Sequence, residues 1–424
     1  MILRRIPSRP AWYRAFSTSR PSGEVLDVRN LPNKIIPKYL ETPRNDLLSL
    51  LWPSPPQNIF IVKKDGASKI TDNLVEYVKH IHANYNNISL IFEAKVAAET
   101  HELFNFPIYT TESLNLFSTK VDLVTTLGGD GTILHASSLF NTTSHVPPIL
   151  SFSMGTLGFL GEWKFDEYKR AFREVYMSGA AAGSPLLQGQ SHAQIQAPDE
   201  KIMTGWSGVR GKSMGPTRSS KILLRNRVQV GVFDEEGNRV TRFNQAIGEK
   251  EDVCAMNEVV IHRGKETHLV IIEVFVGGRF LTEAVADGII IATPTGSTAY
   301  SLSSGGSIVH PLVSSILMTP ICPRSLSFRP LVLPANTPIT LRLSKKNRGR
   351  ELAVTIDGQV KVKGIGVGME IRVCANDIIR GHDWTGGVPC VMRGTRSGVD
   401  NNDDGWVGGL NGLLKFNYPF GEAL

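Results

Sequence analysis

The sequence predicts an N-terminal doubly wound α/β domain followed by a larger, β-sandwich-like all-β domain. Three observations carry that expectation. From residue 57 to 164, short apolar runs alternate with helical patterns. From about residue 184 to 376, strand-length runs follow one another with hairpin punctuation. The chain of 424 residues is also long enough to bury two cores. Alternation of strand and helix marks a parallel, doubly wound layer, and strands without helices mark an antiparallel one.

Taken in order, residues 1–23 (MILRRIPSRPAWYRAFSTSRPSG) hold Arg4, Arg5, Arg9, Arg14 and Arg20, with no acid before Glu24. They contribute +5 of the formal net charge of +7, leaving +2 for the rest of the chain. The basic balance is therefore local, and no nucleic-acid partner is expected. An Arg-rich, Ser-containing, acid-free N-terminus reads as a mitochondrial transit peptide addressed to the matrix. The competing reading is a disordered basic arm. Residues 24–56, spaced by Pro32, Pro37, Pro43, Pro53, Pro55 and Pro56, are expected to lie loosely over the surface.

Within 57–164, IFIVKK, ISLIFE, VDLVTTL and PILSFSM read as buried strands, with helical patterns at 68–82, 96–103 and 132–140. Within 165–384, a helix over 166–177 precedes a flexible Gly/Ser insertion at about 180–220. ILLRNRVQVGVFD, HLVIIEVFVGGRFLTEAVA (turning at Gly277-Gly278), LVLPANTPITLRL, ELAVTIDGQVKV and GMEIRVC then read as strands. A polar loop at 385–404 leads to a C-terminal segment, 405–424, expected to pack back on the α/β domain. No apolar run reaches the roughly 18 residues of a membrane span, so no membrane partner is expected. Cys254, Cys322, Cys374 and Cys390 are scattered, which argues against a disulfide framework and a zinc site.

Two familiar phosphate motifs fail. Gly129-Asp130-Gly131-Thr132-Ile133-Leu134 begins as G-x-G-x-x-G, but Leu134 fills the last glycine position. Gly211-Lys212-Ser213 resembles the end of a P-loop, yet Trp206 stands where that loop needs glycine. Neither G-x-S-x-G nor a Cys/His pairing supports a hydrolase, and His135 reads as a core or edge residue.

The stretch VDLVTTLGGDGTILHAS, residues 121–137, carries the chemistry. A strand enters Gly128-Gly129-Asp130-Gly131-Thr132, and a helix leaves it. Glycines at a strand's C-terminal end let backbone approach a ligand, and their amides with the helix start form an anion cradle. An aspartate there can orient a hydroxyl and take its proton during phosphoryl transfer. The bland alternative is a glycine turn in which Asp130 caps the helix.

The stretch ADGIIIATPTGSTAYSLSSGGSIVHP, residues 286–311, packs small residues and hydroxyls. Thr293, Thr295, Ser297, Thr298, Tyr300, Ser301, Ser303 and Ser304 offer uncharged donors and acceptors suited to ribose and base edges. In MNEVVIHR, Asn257 and Glu258 open a β pattern; by itself the pair is better explained as a strand-initiating turn.

GGDGT, NEVVIHRG and DGIIIATPTGSTAYSLSSGGSIVHP, in this order, resemble the NAD kinase (ATP-NAD kinase) family, eukaryotic branch. SMGTLGFL, PICPRSLSFRPLVLP and IDGQ add to the match, which spans about residues 57–384 and the tail. With the N-terminus, the pattern is closest to fungal mitochondrial NADH/NAD kinases. The insertion near 180–220 and the loop CVMRGTRSGVDNNDD depart from the family pattern without touching a motif.

The resemblance implies a NAD kinase/phosphofructokinase-like α/β domain and transfer of the ATP γ-phosphoryl group to the adenosine ribose 2′-hydroxyl of NAD+ or NADH. It implies Asp130 as proton acceptor, with Gly128, Gly129, Gly131 and Thr132 around the nucleotide. Asn257 and Glu258 would hydrogen-bond the dinucleotide. Asp287 would reach a nucleotide, often in a neighbouring subunit, and Thr295, Thr298, Ala299, Tyr300 and Ser303 would line the adenosine pocket. Mg2+ would arrive with ATP, no protein metal site is expected, and the chain would form a dimer or tetramer. The rivals are another GGDG kinase acting on lipid and a catalytically inactive NADP(H) sensor.

Overall fold

The computed structural model describes residues 23–180, 219–240 and 252–393, except 43–44, 67, 156–157, 350, 377 and 381–383, together with Trp406, Leu410, Leu413 and Leu414. The transit-peptide, insertion and tail expectations fall almost wholly outside those residues.

The first part of the chain forms β1 (Val25–Asp27), β2 (Lys38–Thr42), β3 (Asn45–Leu51), β4 (Asn58–Lys63), α1 (Ser68–Asn84) and β5 (Ser89–Glu93). It continues through α2 (Ala94–Thr100), β6 (Ile108–Thr111), α3 (Leu114–Lys120), β7 (Leu123–Gly128) and α4 (Asp130–Ser138). Then come β8 (Ile149–Ser153), β9 (Trp163–Lys164), α5 (Tyr168–Tyr176) and β10 (Lys221–Arg225). The sheet order is β1-β6-β5-β4-β7-β8, all parallel, with β9 also on β8.

Strand β4 shows why helices cover both faces. Its side chains alternate: Ile59 and Ile61 join the core with α1 and α5, whereas Phe60 and Val62 join the core with Ile133 and Ala136 of α4. Helix α1 answers with Ile70, Leu74, Tyr77, Val78 and Ile81 on one buried stripe.

The second part contains β11 (Arg227–Phe233), β12 (Val253–Ala255), β13 (Glu258–His262), β14 (Val270–Val276), β15 (Arg279–Ala286) and β16 (Gly288–Ala292). After α6 (Tyr300–Ser303) follow β17 (Ser315–Ile321), β18 (Leu331–Pro334), β19 (Ile339–Leu343), β20 (Glu351–Ile356), β21 (Gln359–Gly366) and β22 (Glu370–Asn376). Two six-stranded sheets result, β12-β11-β22-β19-β14-β15 and β18-β17-β16-β13-β20-β21. They share one core, in which Val228, Val230 and Ile272 of the first meet Val259, Ile261, Ile289 and Ile291 of the second. The final strand β23 (Val388–Met392) returns to the first sheet, parallel to β8 and antiparallel to β10.

Four sequence expectations are corrected. The Pro-spaced arm is not loose: β1 extends the parallel sheet beside β6, and the β2–β3 hairpin adds to β10. The buried carboxylate of Asp122 fastens it, accepting hydrogen bonds from the amides of Ile35 (2.6 Å), Gln57 (2.7 Å) and Asn58 (2.8 Å). The boundary after Lys164 also moves, because Tyr168, Phe172, Val175 and Tyr176 of α5 pack into the first core. ILLRNRVQVGVFD, assigned whole to the β-rich domain, is divided: β10 and β11 lie in different sheets with only Asn226 between them. Finally, the expected loop at 385–404 begins with β23, all five residues of which are buried. Of the tail, the Trp406 ring lies 4.6 Å from that of His310, in the β-rich part.

Candidate functional site

The parallel sheet changes direction between β4 and β7, since the chain builds outward through β5 and β6 before returning to the other side of β4. Ligands of open α/β sheets sit beyond the strand ends at such a switch point. The GGDGT element occupies it. Gly128 ends β7, Gly129 precedes α4, and Asp130 is the first helical residue. Gly129 and Gly131 are exposed, with no atom within 4 Å of where a Cβ would stand. Packing does not require glycine at these two positions; small size there leaves the backbone amides open to a ligand.

Asp130 faces the turn from SMGTLGFL. Its Oδ2 accepts from the Phe159 amide at 2.9 Å and its Oδ1 from the Leu160 amide at 3.1 Å. Gly158 makes this possible: a Cβ there would stand 2.1 Å from Oδ1. Each carboxylate oxygen retains a second lone pair for another donor. The helix-capping reading of Asp130 does not hold, because both its bonds run to a distant turn rather than to its own helix. His135, on the same helix, pairs with Glu93 at 2.8 Å.

In the β-rich part, Asn257 and the strand start at Glu258 are positioned by a device the motifs did not reveal. Asp357 of IDGQ accepts from the amides of Met256 (2.9 Å), Asn257 (2.7 Å) and Glu258 (3.2 Å). The TPTGST loop locks onto the same residues. Thr293 Oγ1 donates to the Met256 carbonyl at 2.6 Å, and the Thr293 amide donates to the Asn257 carbonyl at 2.9 Å. A Cβ at Gly296 would stand 2.1 Å from that carbonyl oxygen, so only glycine fits.

Asn257 and Glu258 are 7% and 6% exposed, yet Asn257 Oδ1 and Glu258 Oε2 have no hydrogen-bond partner. Native proteins seldom leave buried polar atoms orphaned except where a ligand or water completes them. Burial, with the charge of Asp357 added, pushes the Glu258 carboxyl up to about 8. A carboxyl raised in the folded state stabilises the fold most below its unfolded value and loses that contribution as pH rises through the folded one. Glu258→Gln is therefore expected to gain stability relative to the wild type as pH climbs from 5 to about 8, by at most about 1.4 kcal/mol per pH unit. Melting curves across that range would test it, and a constant difference would contradict the burial argument.

The other expected pocket residues fall near this loop. Thr295 is buried on the 3-10 turn Thr295–Thr298, and Thr298 and Ala299 are half-buried. Tyr300 and Ser303 present exposed side chains on α6. Asp287 is not brought to them. It precedes β16, whose five residues span about 17 Å at about 3.4 Å each, and it pairs with Arg263 at 2.8 Å.

Two basic residues were missed. Lys64, exposed after β4, donates its amide to the Leu127 carbonyl at 2.9 Å and so stands level with the glycine loop. Arg225, 2% exposed, reaches Thr295 from one nitrogen and the Phe159 carbonyl from another. The signal for Arg225 was present: it and Arg227 fall inside the strand-forming run ILLRNRVQV.

A carboxylate beside open backbone amides, tied through Arg225 to a loop rich in uncharged hydroxyls, suits the class of nucleotide kinases. Comparison with known proteins makes the class specific. Residues 59–180 match the ATP-NAD kinase N-terminal domain and residues 256–377 the ATP-NAD kinase C-terminal domain. The chain belongs to the ATP-NAD kinase family. It is 37% identical to the Schizosaccharomyces pombe protein named "NADH kinase pos5, mitochondrial", over 94% of this chain and 87% of that one. It is 34% identical to its Saccharomyces cerevisiae namesake, over 96% and 95% of the two chains. The crystal structure of yeast NADH kinase complexed with NADH superposes with a TM-score of 0.73 at 33% identity, covering 95% of this chain and all of that one.

Proposed function

We propose that this chain is a mitochondrial NAD(H) kinase, which transfers the γ-phosphoryl group of ATP to the adenosine ribose 2′-hydroxyl of NAD+ or NADH and so makes NADP+ or NADPH. Family membership and the near full-length likeness to mitochondrial NADH kinases support the activity. The observation that carries the site is the pair of orphaned buried atoms on Asn257 and Glu258.

In this reading Asp130 orients the 2′-hydroxyl and accepts its proton. A carboxylate is a weak base for an alcohol, but phosphoryl transfer has a loose transition state in which the hydroxyl becomes acidic late. Positioning therefore matters more than basicity. Asn257 Oδ1 and the Glu258 carboxyl hold the dinucleotide from one side, while Thr295, Thr298, Ala299, Tyr300 and Ser303 enclose the adenosine. The amides around Gly128, Gly129, Gly131 and Thr132 receive the phosphates, and Lys64 adds a positive charge beside them.

No group of three or more ligating side chains is present among the described residues, and an ATP-bound Mg2+ needs none, being held largely by phosphate oxygens and water. That ion would offset charge on the phosphates. Residues 1–23 direct the chain to the matrix, and the assembled enzyme is a homo-oligomer in which Asp287 reaches a neighbour's nucleotide.

Initial rates of the purified chain with ATP and either NAD+ or NADH test the proposal; NADP(H) formation from at least one is expected. Diacylglycerol or sphingosine phosphorylated in place of the dinucleotide would select the lipid-kinase rival. Tight NADP(H) binding with no turnover would select the sensor.

A further inference from the structure

Arg225 ends β10, the last strand before the chain leaves the first sheet. Its guanidinium is buried, and among the described residues no carboxylate pairs with it. Nη1 donates to Thr295 Oγ1 at 3.4 Å, Nη2 donates to the Phe159 carbonyl at 3.4 Å, Nε has no partner, and the guanidinium also lies against the buried Cys390 thiol of β23. A buried cation without a counter-charge is costly to a fold. Its neighbour Arg227 is buried just as deeply and its Nε is likewise unpartnered, but its terminal nitrogens make three bonds, to the carbonyls of Phe140 (3.2 Å) and Thr143 (2.8 Å) and to Asn376 Oδ1 (3.1 Å). Arg227 thus braces the far end of α4, as a structural residue would. Arg225 is spent differently.

What it touches is informative. The Phe159 carbonyl belongs to the peptide group whose N–H, on Leu160, donates to Asp130 Oδ1 at 3.1 Å. A peptide that accepts a hydrogen bond from a cation becomes a stronger donor through its own N–H. The charge of Arg225 is thereby passed through one peptide to the carboxylate of Asp130. The other end of the guanidinium holds Thr295, in the loop whose Gly296 packs on Asn257. One side chain therefore joins the turn that orients Asp130 to the loop that packs on Asn257.

We propose that Arg225 is a positioning residue for the phosphoryl transfer, setting the orientation of Asp130 through the Phe159–Leu160 peptide and making it depend on the TPTGST loop. The inference rests on the role given to Asp130 above. Because Arg225 acts through that carboxylate, its loss lowers turnover rather than dinucleotide affinity.

The test is steady-state kinetics of Arg225→Lys and Arg225→Met beside the wild type, with melting curves to confirm folding. Lysine keeps the charge but cannot span both acceptors. Each variant is expected to lose on the order of 10- to 100-fold in kcat with the KM for NAD(H) nearly unchanged. In an Asp130→Asn background the same substitutions should cost little more, since the group they act through is already gone. A tenfold rise in KM at unchanged kcat would overturn the proposal in favour of direct ligand binding by the guanidinium. The same fold-loss in both backgrounds would overturn it in favour of general structural damage. Should Arg225→Met not fold, Arg225→Lys carries the comparison. A wild-type chain that turns over neither NAD+ nor NADH would remove the functional reading itself, a result distinct from any of these.

Discussion

Asp130→Asn is expected to lower kcat by on the order of 10²–10⁴ while NAD(H) still binds. The substitution keeps size and helix position but removes the proton acceptor. It also disturbs the support: both carboxylate oxygens accept backbone amides, from Phe159 and Leu160, and an asparagine can present an oxygen to only one of them. Its NH2 group would face an N–H donor, at a cost of about 1–3 kcal/mol for the unsatisfied pair. A slightly lower melting temperature should therefore accompany the kinetic loss. Equilibrium binding of the dinucleotide, measured beside turnover, separates the two effects. A variant that phosphorylates NAD(H) at the wild-type rate would remove Asp130 from the chemistry.

The parallel layer was legible because local pattern and final geometry agree there. Each buried strand is a continuous apolar run and each helix a 3.6-residue stripe, so IFIVKK, ISLIFE, VDLVTTL and PILSFSM all appear as strands within a residue or two. The Gly277-Gly278 turn was legible for a similar reason: both glycines have positive φ, 58° and 75°, which the tight hairpin they close demands. The arm was not legible. Its strands are short, separated by prolines, and paired with residues such as Lys221 and Ile222 that stand far along the chain. Proline is tolerated beside edge strands, so its spacing alone does not exclude a sheet. Nor could pattern show that ILLRNRVQVGVFD changes sheets at Asn226, since both halves read as β.

The site divides in the same way. Asp130, Asn257, Glu258 and the TPTGST loop were visible as motifs, because backbone approach demands small residues and leaves a local signature. Arg225 and Asp357 were not assigned roles, because each acts on atoms of remote segments. Asp357 lies about a hundred residues from the amides it binds, and nothing in IDGQ beyond a hairpin turn indicates them.

That hidden support carries the other large effect. Asp357→Ala should destabilise the fold by about 3 kcal/mol or more, because three amides lose their acceptor together. Asp357 also sits at φ 46°, a left-handed turn conformation that aspartate tolerates better than alanine does. The functional consequence follows from where those amides lie. Without Asp357 the chain at Met256, Asn257 and Glu258 is free to shift, and the two orphaned polar atoms lose their aim. The KM for NAD(H) is expected to rise at least about tenfold, the equivalent of about 1.4 kcal/mol of binding. Asp357→Asn keeps the turn conformation and one acceptor oxygen, so it should fall between wild type and alanine in both melting temperature and KM. If the alanine variant melted and bound as the wild type does, the three amides would have found other partners, and Asp357 would be a turn residue only.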